Sequence, residues 1–241
     1  MALVFDLRRE SPFSFRCRVC GACCRNKAIR VAPYEALRLA RNLGVTTTEF
    51  YRSYTVEGGA FLRDKPDGSC IFLNARGCGV HPDRPLVCRL YPLGQIVDRR
   101  GRELFGVMPL HPGCAGLLGT EATVASYLES QDVEAYFRYE KVYSAVFRKM
   151  LKMLARVPPA KTKKAAPARK ERRSDPPPAQ GELLSAWLDI DRTVERTCRK
   201  DGRRKPDGLD EAVWTHLRAI EDWLAALPVS SRRARPRSPT E

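Results

Sequence analysis

The sequence predicts an α+β protein built around a small cysteine-rich metal-binding domain, with short strands and flanking helices. Three observations carry that reading. Eight of the nine cysteines fall within residues 17–114. Short strand-like runs bounded by turn signals fill the first half of the chain. Helical periodicity dominates after residue 120. The chain has 241 residues, of which 43% are hydrophobic, enough for a real core and too many for a wholly disordered chain. No apolar run approaches the roughly 18 residues that a membrane span needs. The N-terminal stretch MALVFDLRRE carries Asp6, Arg8, Arg9 and Glu10 where a secretory leader needs apolar residues. The expectation is a soluble, cytoplasmic protein. In that compartment thiols stay reduced, so clustered cysteines point to a metal or redox site rather than to disulfides.

The elements follow in order. Pro33 opens a helix in which Leu37, Ala40 and Leu43 recur at helical spacing, and Gly44 supplies a left-handed stop. Thr46 and Glu49 have capping-box spacing, so EFYRSY is a second short helix. Strand-like runs come next: GAFLR, then CIFLN after the Asp67-Gly68 turn, then GQIV and ELFGVM joined across DRRGR. Residues 120–156 read as helical with a break near Ser130; Val142, Val146, Met150 and Leu154 recur every fourth residue and face the core. The Tyr and Met residues here read as packing rather than as a cofactor box. Residues 182–200 and 208–227 form two further helices. Trp187, Ile190 and Val194 line one face of the first, and Val213, Leu217, Ile220, Leu224 and Leu227 one face of the second. Such a pair cannot bury much alone and needs a docking surface.

These elements divide the chain into a cysteine-cluster domain (1–156), a basic Pro-rich linker (157–180), a helical hairpin (181–228) and a disordered basic tail (229–241). The formal net charge of +15 is distributed as +9, +5, −2 and +3 over those segments. More than half of the excess therefore sits in the linker and the tail. Basic segments of this kind suit contact with a polyanion or a protein partner, or serve as solubilising spacers. No aromatic residues interleave the charges to stack on bases, which favours the spacer.

The chemistry lies in Cys17, Cys20, Cys23, Cys24, Cys70, Cys78, Cys88 and Cys114. The run FRCRVCGACCRNK is C-x2-C-x2-C-C. Two residues between thiolates let a tight turn aim both sulfurs at one point, which suits zinc and cubane iron–sulfur clusters alike. Gly21 permits the sharp backbone path. Arg16, Arg18, Arg25 and Lys27 favour the thiolate form and offset its charge. Adjacent cysteines such as Cys23 and Cys24 leave the backbone in different directions, so Cys24 serves a second site or a second iron. Eight thiols suffice for two four-thiolate sites, or for one site with further structural or reactive thiols. Cys198 stands alone on a predicted helix as an ordinary buried side chain. His81 and His111 have acceptable spacing from Cys78 and Cys114, but eight thiols make nitrogen ligands unnecessary. Around Cys88, Arg84, Arg89 and Tyr91 either bind an anion or orient the sulfur; the structural alternative pairs Arg89 with an acid. There is no glycine-rich phosphate loop, GxSxG elbow or HExxH.

On these residues the sequence resembles the YkgJ-type cysteine-cluster family, described as zinc- or iron-chelating and named for its CxxCxxCC motif. Phe15, Cys17, Cys20, Gly21, Cys23 and Cys24 carry the first motif. Glu35, Arg38, Leu39, Ala40, Leu43, Gly44 and Phe50 continue it, followed by Cys70, Phe72, Leu73 and Cys78. The block Arg84-Pro85-Leu86-Val87-Cys88-Arg89-Leu90-Tyr91-Pro92 is the strongest, and Cys114 resembles a later family cysteine. The resemblance covers residues 13–118 and implies a metal-binding module with no settled activity. Flagellin lysine N-methylases share the module. Three functions are therefore weighed: an iron–sulfur protein, with 4Fe–4S favoured; a zinc-stabilised binding module with a basic tail; and a protein-lysine methylase of the flagellin type. The thiol-only ligand set and near-ferredoxin spacing place iron–sulfur first.

Overall fold

The computed structural model describes residues 3–154 and 187–226. The linker, the tail and the flanks of the predicted hairpin, Leu227 included, lie outside the described residues. The fold is α+β: helices with short antiparallel strand pairs.

Strand β1 (Pro12–Arg16) precedes the cysteine loop. Helix α1 (Pro33–Leu43) starts at Pro33, and Gly44 ends it at φ 68°, as the sequence predicts. Its N-terminus is capped from within: Glu35 Oε2 accepts the Ala32 amide at 2.5 Å. Helix α2 (Thr47–Tyr54) is capped by Thr46, whose hydroxyl accepts the Glu49 amide at 3.2 Å. Two hairpins follow, β2 (Thr55–Val56) with β3 (Phe61–Leu62), and β4 (Leu73–Asn74) with β5 (Gly77–Cys78). Each strand is two residues long, shorter than GAFLR and CIFLN suggest. Helix α3 (Leu86–Leu90) carries Cys88. Strands β6 (Leu93–Val97) and β7 (Glu103–Val107) form the expected hairpin across DRRGR. Strand β8 (Leu117–Thr123) returns to pair with β1. Residues 120–123 are thus strand, not helix. The period there is broken by Gly119 and Thr120, and helix α4 (Val124–Ser130) starts only where Thr123 caps it. The break near Ser130 is real, and α5 (Glu134–Leu154) follows it.

Helix α1 separates two apolar clusters. Its Leu39 and Ala40 pack with Phe50, Leu62 and Phe72, and this smaller cluster supports Cys70 and Cys78. Its Tyr34 and Leu37 join the larger cluster, with Phe13, Phe105, Tyr136, Tyr139 and Met150. Helices α6 (Ile190–Lys200) and α7 (Leu209–Ala225) complete that larger cluster through Ile190, Val194, Val213, Leu217, Ile220 and Leu224. The docking surface that the hairpin needs is therefore α1, α2 and α5. Tyr143, Val146 and Met150 are buried on α5, while Val142 is half-buried; the side chain of Leu154 is not described.

Polar contacts fix that docking. Asp189 caps α6 and accepts from the Thr47 and Thr48 hydroxyls at 2.6 and 2.5 Å. Asp191, 4% exposed, accepts the Thr47 amide at 2.8 Å and pairs with Arg41 at 2.6 Å. His216 is fully buried. Its Nε2–H donates to the Trp187 carbonyl at 2.7 Å, which leaves Nδ1 to accept the Tyr143 hydroxyl at 2.9 Å. Cys198 lies in the same core, as expected of an ordinary side chain. Among the described residues no helix is long and apolar enough to cross a membrane.

Candidate metal centre

Four separate stretches of chain deliver the eight clustered cysteines. The first runs from Cys17 to Cys24 after β1. Val19 and Gly21 adopt positive φ, 54° and 72°, which reverses the backbone twice before a short 3-10 turn over Ala22–Cys24. Gly21 is required twice over: a Cβ there would also sit 2.9 Å from Leu73 Cδ1 on β4. The second stretch is the β4–β5 hairpin, with Cys70 before it and Cys78 within it. It is tied to the first loop by the Cys70 amide, which donates to the Cys24 carbonyl at 2.8 Å, and by Asn26 N–H on the Gly68 carbonyl at 2.8 Å. Gly77, at φ +102°, leaves room for Val19. The third stretch is α3 with Cys88; Leu86 N–H donates to Glu35 Oε1 at 2.6 Å and so anchors it to α1. The fourth is the turn before Cys114, held where the Tyr91 hydroxyl accepts the His111 amide at 2.7 Å.

All eight thiols line one chamber of about 300 Å³. Its remaining wall is largely apolar, with Phe15, Val19, Phe72, Val87 and Met108, and its cations are Arg18, Lys27 and Arg84. Cys17 and Cys20 are exposed at the mouth; the other six are half-buried. Cys23 and Cys24 both face the chamber, their sulfurs 4.0 Å apart. Three backbone amides donate to sulfur at 3.4 Å: Val19 to Cys17, Ala115 to Cys20, and Gly116 to Cys114. Among the described residues, no three His, Cys, Asp or Glu side chains are already gathered as the ligands of one ion. The sulfurs ring a space instead of meeting at a point.

Electrostatics sort these thiols. The Cys24 thiol donates to the Cys23 sulfur and holds Cys23 down at about 6, with help from its own amide, His111 and Lys27; Cys24 is pushed up in return. The amides of Ala115 and Ala22 lower Cys20. Burial raises Cys70 and Cys78, and raises Cys88 most, whose sulfur is walled in and faces Cys70 and Cys78. Without a bound cation, then, Cys24, Cys70, Cys78 and Cys88 hold their protons, whereas Cys23 gives its proton up most readily. A soft metal that displaces those protons fits this donor set.

Of the other residues singled out by sequence, His81 lines the chamber and His111 does not. Arg18 and Lys27 line it, whereas Arg25 pairs with Asp67 at 3.4 Å. Among the described residues Arg89 pairs with no acid; its guanidinium donates to the carbonyls of Arg84, Gln131 and Pro82. Sequence reasoning missed β1, Gln131 and the Ala115 and Gly116 amides, none of which carries a distinctive residue pattern.

A thiol-lined chamber assembled by loops around a thin scaffold is a donor set suited to chelating a soft metal. The comparison with known families agrees. Residues 16–109 match the family model described as "CxxCxxCC: Putative zinc- or iron-chelating domain", so over this segment the chain is similar to that family. The matched range includes every chamber cysteine except Cys114. No curated protein and no solved structure matches the chain.

Proposed function

We propose that the chamber holds an iron–sulfur cluster, of the 4Fe–4S type, through a subset of Cys17, Cys20, Cys23, Cys24, Cys70, Cys78, Cys88 and Cys114. One observation carries the reading: eight thiols surround a single space of about 300 Å³. A zinc ion held by four thiolates at about 2.3 Å draws its sulfurs to within about 3.8 Å of one another and encloses no such space. A cluster of several irons and sulfides fills more of it. The thiol-only donors and the amides aimed at sulfur suit such a cluster, because hydrogen bonds to sulfur stabilise its charge. A bound cluster would supply one-electron chemistry, and the apolar wall would keep water from it.

The test is metal analysis of anaerobically purified, full-length protein. Iron and acid-labile sulfide with a broad visible absorption support the cluster. Stoichiometric zinc, unfolding on chelation and no iron after anaerobic reconstitution establish the zinc-stabilised module instead. The methylase reading requires uptake of S-adenosylmethionine by the reconstituted protein and fails without it. Contact of the basic segments 157–180 and 229–241 with a polyanion requires affinity that falls steeply with salt.

A further inference from the structure

Among the described residues, Arg84 in the chamber wall and Arg89 next to Cys88 have no acid partner. Arg89 is 4% exposed. Its guanidinium is satisfied by the carbonyls of Arg84 at 3.1 Å, Gln131 at 2.5 Å and Pro82, and lies 4.6 Å from the centre of the Tyr136 ring. Arg84 lines the chamber. It donates to the His81 carbonyl at 2.7 Å and to Gln131 Oε1 at 2.5 Å, and it meets His81 Nδ1 at 3.1 Å. Every one of these partners is neutral. The acids on neighbouring segments are committed elsewhere: Asp83 to Arg38 and Asn42, Glu35 to the amides of Ala32 and Leu86. Other arginines of this protein behave differently. Arg41 beside Asp191 and Arg9 beside Glu103 are pushed up, whereas burial, and then Arg89, push Arg84 down.

Burying charge without a counter-charge is costly, and proteins keep such charges where a partner is to come. Both cations flank Cys88, Arg89 as its neighbour on α3 and Arg84 in the turn that enters α3. We infer that the chamber is built to hold a metal–thiolate assembly of net negative charge, with Arg84 in its wall and Arg89 behind that wall as the counter-charges. A dication held by four thiolates carries about two negative charges, which two guanidiniums balance. The nature of the occupant rests on the proposed function; the preference for negative charge is a property of the chain itself.

The experiment uses the metal-free, reduced full-length protein and two alkylating probes of similar size, anionic iodoacetate and neutral iodoacetamide. In each case a thiolate attacks the methylene carbon, a thioether forms and iodide leaves. The rate ratio of iodoacetate to iodoacetamide at Cys17, which is exposed at the mouth and within electrostatic reach of Arg84, is read by peptide mass spectrometry and reports the sign of the local field. Arg84→Gln is expected to lower that ratio several-fold, and Arg84→Lys to preserve most of it. Gln131→Glu, which gives Arg84 an acid and gives up only the exposed Gln131 Nε2–Ser130 hydrogen bond, is expected to lower it in the same direction and stands in if Arg84→Gln does not fold. A ratio equal to wild type in Arg84→Gln or, in its place, in Gln131→Glu overturns the inference, as does an equal fall in Arg84→Lys. If the wild-type protein takes up no iron, the proposed function fails while this ratio still decides the charge preference.

Discussion

His216 makes the docking of the C-terminal helices sensitive to acid in a way that can be worked out. The imidazole is fully buried between α7, α5 and the Trp187 carbonyl, and burial holds it down at about 4, against an ordinary value of 6.5. The folded protein therefore keeps His216 neutral between those values while the unfolded chain protonates it. Stability from this group is complete above about 6.5 and is lost as pH falls toward 4. The full difference is worth about 3 kcal/mol, and about 2 kcal/mol of it is gone by pH 5. Glu35 works in the opposite sense. Burial pushes its carboxyl up to about 7 from 4.5, so the folded state holds a proton that the unfolded chain has released, and stability rises as pH falls through that window. The two slopes nearly cancel in the wild type. His216→Gln keeps a donor for the Trp187 carbonyl but strands the Tyr143 hydroxyl, so at pH 7.5 it costs about 1–3 kcal/mol. Acidification then narrows the gap between wild type and variant by about 2 kcal/mol at pH 5. Urea denaturation of both proteins at pH 7.5, 6 and 5 reads this directly, and any titration of the metal-site thiols drops out of the difference. A gap that stays constant with pH would show that His216 is not held neutral, and the argument would fail.

Cys88→Ser should lower metal affinity by more than the ~10–100-fold typical of outer-sphere partners, while Cys198→Ser leaves metal content unchanged; elemental analysis after equilibrium dialysis compares them. Gly21→Ala removes no thiol, yet it forces a left-handed residue against Leu73 and should cost at least ~1 kcal/mol, with weaker metal retention in a chelator competition. Asp191→Ala removes the acid that Arg41, Lys205 and the Thr47 amide share and should cost about 3 kcal/mol at neutral pH by urea denaturation. Its partners hold the Asp191 carboxyl below its ordinary 3.8 despite burial, so that contribution should persist down to this value and fade only below it.

Where a residue type has a local structural consequence, the sequence is readable. Pro33, Gly44, Thr46 and Glu49 mark the ends of α1 and α2 because caps act within one turn. Ile190, Val194, Val213 and Ile220 reveal helices because their period survives any tertiary context. The thiols stand out by density, and all eight line the chamber. What stayed hidden depends on partners distant in sequence. Strand β1 forms only because β8 lies against it, and residues 117–123 have too little β-branched character to announce a strand. Arg89 reads as half of an ion pair, because an isolated sequence cannot show that three carbonyls converge on it.

The distribution of strength through this fold also bears on what a bound metal would do. The cysteines are carried by two-residue strands, a five-residue helix and turns, elements too short to hold their own geometry. The extensive core lies between α1, α4, α5, α6 and α7, and of the elements that carry chamber cysteines only α3 reaches it, through Leu86 and Leu90. Cys17, Cys70, Cys88 and Cys114 belong to stretches far apart in the chain, so an occupant that binds them closes several loops at once. The entropy of closure is then paid at binding, and binding free energy becomes local folding free energy. The helical core supplies a wall that persists when the chamber is empty. On this view the asymmetry is functional: a stable α-helical half orients α1 and α3, and a bound metal would complete the loop-built half.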